Sequence, residues 1–149
     1  MRKLILLSTL SIFFGGVIYI AFRSSSITLF KWLYDIPVID DFVKNLRIST
    51  LPYKEYIPDW FLYSLPDGLW MFSYSCIILI IWKMEINKYS LIWLLILPIL
   101  SILIEFLQYY DYFNGTFDVL DIVFFIFGSL LPILINKKIK NRNTYTEAI

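Results

Sequence analysis

The run SLIWLLILPILSILIEFLQ, residues 90–108, decides how this chain is read. It is apolar almost throughout and closes on Glu105 and Gln108. A helix of this length, at 1.5 Å per residue, covers about 28 Å, close to the hydrocarbon thickness of a bilayer. Pro98 falls in mid-run and predicts a kink, tolerated in a membrane helix when neighbours satisfy the freed carbonyl. On helical spacing, Pro98, Ser101, Glu105 and Gln108 share one stripe.

Three further runs have the same character. Leu4–Phe22 follows Met1-Arg2-Lys3, a start that also fits a signal peptide. The run exceeds the usual h-region, and no small-x-small site precedes Ser24, so a retained helix is the reading adopted. The second run covers 64–82, with Pro66 suited to a first helical turn and Asp67 meeting the positive end of the helix dipole. The last covers 117–136, after an Asn114-Gly115 turn, with Thr116 as its expected N-cap. Asn114-Gly115-Thr116 matches a glycosylation sequon, and chance accounts for it in so short a loop. Composition agrees: 149 residues, 59% hydrophobic and 17% charged, are too apolar for a soluble domain of this size. The fold class expected is all-α integral membrane, one domain (residues 1–149), with four transmembrane helices at about 4–22, 64–82, 90–108 and 117–136.

Between the first two spans lies a long connection, 24–63, expected to hold one or two short amphipathic helices at the membrane interface. Ile39, Phe42, Val43 and Leu46 have helical spacing opposite Asp40, Asp41, Lys44 and Asn45. The connection is read either as a lid or as a connector resting on lipid. After 136 a polar tail, 137–149, is expected to be mobile.

Four spans bring both termini to one side with Arg2, Lys3, Lys83, Lys88, Lys137, Lys138, Lys140 and Arg142, whereas the loop 109–117 has neither Lys nor Arg. The positive-inside rule then places both termini in the cytoplasm. Arg23, Lys31, Lys44, Arg47 and Lys54 in the long connection run against that pattern. Tyr53, Tyr56, Trp60, Phe61, Tyr63, Tyr109, Tyr110, Tyr112 and Phe113 form interfacial belts. The chain has no histidine, which removes Ser-His-Asp and Cys-His catalysis and imidazole metal sites. Its one cysteine, Cys76, sits in an apolar run as a small hydrophobe. A net charge of +1 leaves no footprint for nucleic acid.

Five polar residues gather at the outer ends of the spans: Asp67, Glu105, Gln108, Asp118 and Asp121. Asp118, Asp121, Phe125, Gly128 and Pro132 form a stripe on the last helix, and Gly128 permits close helix approach. Carboxylates at this depth are costly and turn inward. Three readings stand open. One is a hard-cation site for Mg²⁺, Ca²⁺ or Mn²⁺. Another is a carboxylate pair, one protonated, for acid–base work or for holding a cationic ligand. The third is a helix-end network with no ligand.

Glu105-Phe106-Leu107-Gln108, a short aromatic loop, then Thr116-Phe117-Asp118-Val119-Leu120-Asp121 and Gly128 resemble the VanZ-like family of small bacterial membrane proteins. The likeness covers about the last third of the chain. Leu65-Pro66-Asp67-Gly68 stands where the family often has Asp-Lys and a histidine; Asp67 alone is kept. The usual basic residue before Asp-x-x-Asp and the Asn before the glycine are absent. The resemblance implies a multi-pass protein of the bacterial cytoplasmic (inner) membrane, linked to the envelope or to glycopeptide-antibiotic resistance. It marks Glu105, Gln108, Asp118 and Asp121 as signature positions without assigning catalysis. The function expected is an outer acidic pocket that binds a cationic or lipid-linked envelope ligand. Alternatives are an intramembrane hydrolase or transferase using the carboxylates, an accessory subunit with a protein partner in the membrane, and, ranked last, an ion pathway.

Overall fold

The computed structural model describes residues 1–24, 30 and 36–147, with side chains to 138. The described residues are helical and contain no strand. The order is α1 (Arg2–Phe22), α2 (Pro37–Thr50), a 3₁₀ turn (Leu51–Tyr56), the single turn α3 (Asp59–Leu62), α4 (Ser64–Ile81), α5 (Lys88–Tyr109) and α6 (Val119–Glu147). Helices α1, α4, α5 and α6 are each long and apolar enough to cross a bilayer. Their apolar spans, Arg2–Phe22, Ser64–Ile81, Lys88–Tyr109 and Val119–Lys138, lie within two residues of those expected. This is a multi-pass membrane protein.

Helix α4 is the centre. Half of its apolar window (50%) is buried, against 22%, 22% and 28% for α1, α5 and α6. Helices α1 and α6 pack along opposite sides of α4, and α5 joins chiefly from the α6 side. Small residues explain why α4 holds this place. A Cβ added to Gly68 would stand 2.9 Å from the Phe124 ring, and one added to Gly128 would collide with the Gly68 carbonyl oxygen. The α4 and α6 backbones therefore touch, as the Gly128 stripe implied. Toward α1, Gly15 admits Trp70, and Ser8 and Ser73 close a buried reciprocal pair. Their hydroxyls stand 2.7 Å apart, and Ser73 Oγ donates to the Ser8 carbonyl at 3.1 Å.

Pro98 and Pro132 both lie inside their helices and are buried. Asn87 opens α5 through a reciprocal capping box with Ser90. Asn136, 2% exposed, donates from Nδ2 to the Met84 carbonyl at 3.0 Å and fastens α6 to the α4–α5 turn. Lys83 and Met84 form that turn with positive φ (51° and 69°).

Among the described residues of the long connection, α2 is an amphipathic helix over the expected spacing. Val43 is buried, Ile39 and Leu46 are half-buried, and Lys44 and Asn45 face outward, while Phe42 is 62% exposed and sits off the buried face. Arg47 fixes this helix to the end of α1: Nη1 donates to the carbonyls of Ile20 (2.9 Å) and Arg23 (2.8 Å), which α1 itself leaves open. Residues 25–29 and 31–35 of the connection lie outside the described residues.

Two expectations need correction. The last helix was expected to end at 136, ahead of a mobile polar tail, and α6 runs on to Glu147. No Gly or Pro follows Asn136 to stop it, and Lys137, Lys138, Lys140 and Arg142 are good helix formers. The N-cap of α6 is Asp118, whose Oδ1 accepts from Leu120 N–H at 2.8 Å, and not Thr116. The helix begins two residues later than expected, so Thr116 falls in the loop.

Candidate functional site

The helix directions settle where the polar residues meet. Ser64 lies near Asp121, Phe124 and Gly128 abut Gly68, and Met71 abuts Gly128. Thus α4 and α6 run parallel, and α5 returns between them. Asp67 in the first turn of α4, Glu105 in the last turn of α5 and Asp121 in the first turn of α6 consequently share one end of the bundle. The start of α1 and the end of α6 belong to the opposite end.

Glu105 is the most enclosed of the three, only 6% exposed. Its Oε2 accepts the Asp118 N–H at 3.2 Å, which holds the loop end onto α5. Asp67, Glu105 and Asp121 lie within electrostatic reach of one another. Arg23, at the end of α1, lies within reach of Asp67 and Asp121. The expected stripe on α5 is the inward one: Pro98 and Glu105 are buried, Ser101 and Gln108 half-buried.

Five enclosed side-chain atoms among the described residues lack a hydrogen-bond partner: Asp40 Oδ1, Ser64 Oγ, Ser75 Oγ, Asp121 Oδ1 and Asn136 Oδ1. Two of the five belong to neighbours, because Ser64 is close enough to Asp121 to act on its carboxylate. A buried polar atom without a partner costs about 1–3 kcal/mol, and a charged one costs more. Ser64 and Asp121 thus leave adjacent oxygens open at the same end as two other acids.

The remaining predicted residues have other duties. Asp118 is committed to its cap. Gln108 packs against the loop backbone, where a Cβ on Gly115 would stand 2.6 Å from the Gln108 amide; Gly115 also has φ +151°. The positive φ favours glycine there; the Gln108 amide is the end of a flexible side chain that can move aside. Among the described residues no three Asp, Glu or Cys side chains converge as a metal-ligand set.

Residues that the sequence reading did not single out complete this end. Ser64, the first residue of α4 and two positions before Pro66, is fully buried; its signal was a small polar residue at the start of an apolar span. Arg23 stacks on two rings, Tyr19 (5.6 Å to the centroid) and Tyr63 (5.2 Å), and Lys54 lies over Tyr63 at 5.8 Å. Their signal was the cations that ran against the charge asymmetry.

A separate cleft of about 300 Å³ opens between α1, α4 and α6, lined by residues that include Ser11, Leu69, Phe72 and Phe127. Its α4 residues, 65, 68, 69 and 72, lie on the opposite helix face from Asp67. No carboxylate lines it, so it belongs to the lipid-facing packing and not to the acid site. Set against family models, curated proteins and solved structures, the chain matches none of them.

Proposed function

We propose that this chain is a VanZ-like ligand-binding protein of the bacterial envelope, seated in the cytoplasmic membrane with both termini inside. In this reading the end bearing Asp67, Glu105 and Asp121 faces outward and holds the cationic group of an envelope ligand. One observation carries it: three carboxylates from three different helices share a site with unpartnered oxygens of Ser64 and Asp121. Carboxylates so placed repel one another; Arg23, the cation within reach of Asp67 and Asp121, makes no ion pair at contact distance with either, and a positive group that did would relieve the repulsion. An ammonium offers three donors and a charge, which suits open carboxylate and hydroxyl acceptors. A divalent cation with additional water ligands is the inorganic form of the same reading. The distribution of Lys and Arg supports the orientation.

The test is a thermal-stability scan of purified protein against Mg²⁺, Ca²⁺, Mn²⁺, lipid-linked envelope precursors and glycopeptide antibiotics, beside Asp121→Asn. A ligand of the folded state raises the melting temperature. A shift that disappears in the variant upholds the site and names the ligand class. Identical shifts in both proteins would remove the carboxylates from the function.

A further inference from the structure

The two ends of the bundle treat their cations differently. At the acid-bearing end Arg23 stacks on Tyr19 and Tyr63, Arg47 donates to two carbonyls, and Lys44 pairs with Asp40 at 2.7 Å. The opposite end holds Arg2, Lys3, Lys83, Lys88, Lys137 and Lys138, all of them exposed. Among the described residues none of these makes an ion pair, a ring contact or a side-chain hydrogen bond. Contacts in the fold hold them at one place. Asn136 Nδ2 donates to the Met84 carbonyl at 3.0 Å, which sets Lys137 and Lys138 beside the turn that carries Lys83. Leu4 is fully buried in the cluster that holds Leu79, with Met84 and Ile133 packed against it, and this brings the Arg2-Lys3 start of α1 to the same turn. Trp82 and Tyr89 stack at 6.5 Å, between Lys83 and Lys88 in the chain, as rings at the headgroup level do.

Helix chemistry does not account for this placement. Arg2 and Lys3 lie in the first turn of α1, Lys88 opens α5, and neither first turn holds an acid. The start of a helix is its positive end, where a cation is disfavoured. Like charges gathered at one end also repel. Glu85 is the one acid among the described side chains there, and α6 carries Lys140 and Arg142 in the turns beyond Lys138. An anion with several acceptor oxygens, laid against this end, relieves both costs.

We propose that this end is a docking surface for the anionic phospholipid headgroups of the leaflet it meets. Position and charge select the occupant. The cations stand at the ends of four membrane spans, the level at which a bilayer presents its phosphates. Arg and Lys take phosphate oxygens through charge-assisted hydrogen bonds. Basic residues that border a span gain roughly fivefold in affinity for anionic lipid for each cation near the surface. The inference is independent of the acid site, and its failure would leave that reading untouched.

The full chain is purified in a neutral detergent, and binding is measured for fluorescent phosphatidylglycerol and for phosphatidylcholine with the same acyl chains. Wild type is expected to bind phosphatidylglycerol roughly tenfold or more tighter, as two cations on one headgroup allow. Raising the salt to about 1 M should remove most of that preference. Lys83→Gln/Lys137→Gln/Lys138→Gln is expected to lose most of it at low salt, whereas Lys44→Gln, at the far end, keeps it. Equal binding of the two lipids by wild type overturns the proposal, and so does a triple variant that retains the full preference. If soluble polyglutamate binds wild type more tightly than phosphatidylglycerol does, the surface takes an acidic protein segment and the lipid assignment fails. The wild-type comparison needs no variant, so a triple variant that does not fold leaves the test intact.

Discussion

Ser73 and Ser64 lie on the same helix, nine residues apart, and both are buried (1% and 0% exposed). Ser73 is closed: it exchanges hydrogen bonds with Ser8 across the α1–α4 seam. Ser64 lacks such an exchange: its hydroxyl stands beside the Asp121 carboxylate without closing a hydrogen bond of ordinary geometry. Ser73 lies on the face of α4 that packs on α1, and Ser64 on the face whose Gly68 packs on α6, at the end where three acids gather. Polar groups in a membrane bundle thus fall into two kinds, and the presence or absence of a partner tells them apart.

Substitutions at the two serines should separate, and both should fall below a change at the helix backbones. The largest effect is expected at the α4–α6 backbone contact. In Gly128→Ala the new Cβ meets the Gly68 carbonyl, a rigid neighbour, so the loss should reach about 3 kcal/mol, the upper part of the overpacking range. Unfolding in mixed micelles reads it directly. Ser73→Ala removes the reciprocal pair and should cost about 1 kcal/mol by the same measurement, in line with interhelical hydrogen bonds in membranes. Asp118→Ala removes the cap on Leu120 N–H and should cost about 1 kcal/mol or slightly less. Ser64→Ala is the smallest. Removing an unpartnered hydroxyl should leave the ligand-free protein as stable as wild type or marginally more so. A Ser64→Ala loss equal to that of Ser73→Ala would erase the distinction between the two faces.

How much of this was legible depends on what a helix's own spacing encodes. Apolar runs of bilayer length fixed the four spans. The 3.6-residue period put Pro98, Ser101, Glu105 and Gln108 on one stripe, and the helix end put Glu105 at the depth of Asp121. Spacing within a helix does not say which neighbour a side chain meets. Gln108 shares Glu105's stripe yet turns to Gly115, because the loop backbone closes over it. Arg23 and Lys54 are 31 residues apart in the chain and meet only through Tyr63, a contact that no periodicity records. The end of the last helix was placed at 136 because polarity begins there, although the residues that follow favour helix and nothing interrupts α6.

The contact between Gly68 and Gly128 also sets a clock. Helix α4 leaves the ribosome sixty residues ahead of the glycine that will cover it. At ~5–20 residues per second the wait is roughly 3–12 s. During that interval the bare Gly68 face can be matched only by lipid or by another newly made helix. The protein's narrowest seam is therefore the last one sealed in synthesis, and the acid-bearing end, which needs Asp121 from the same late helix, is assembled together with it.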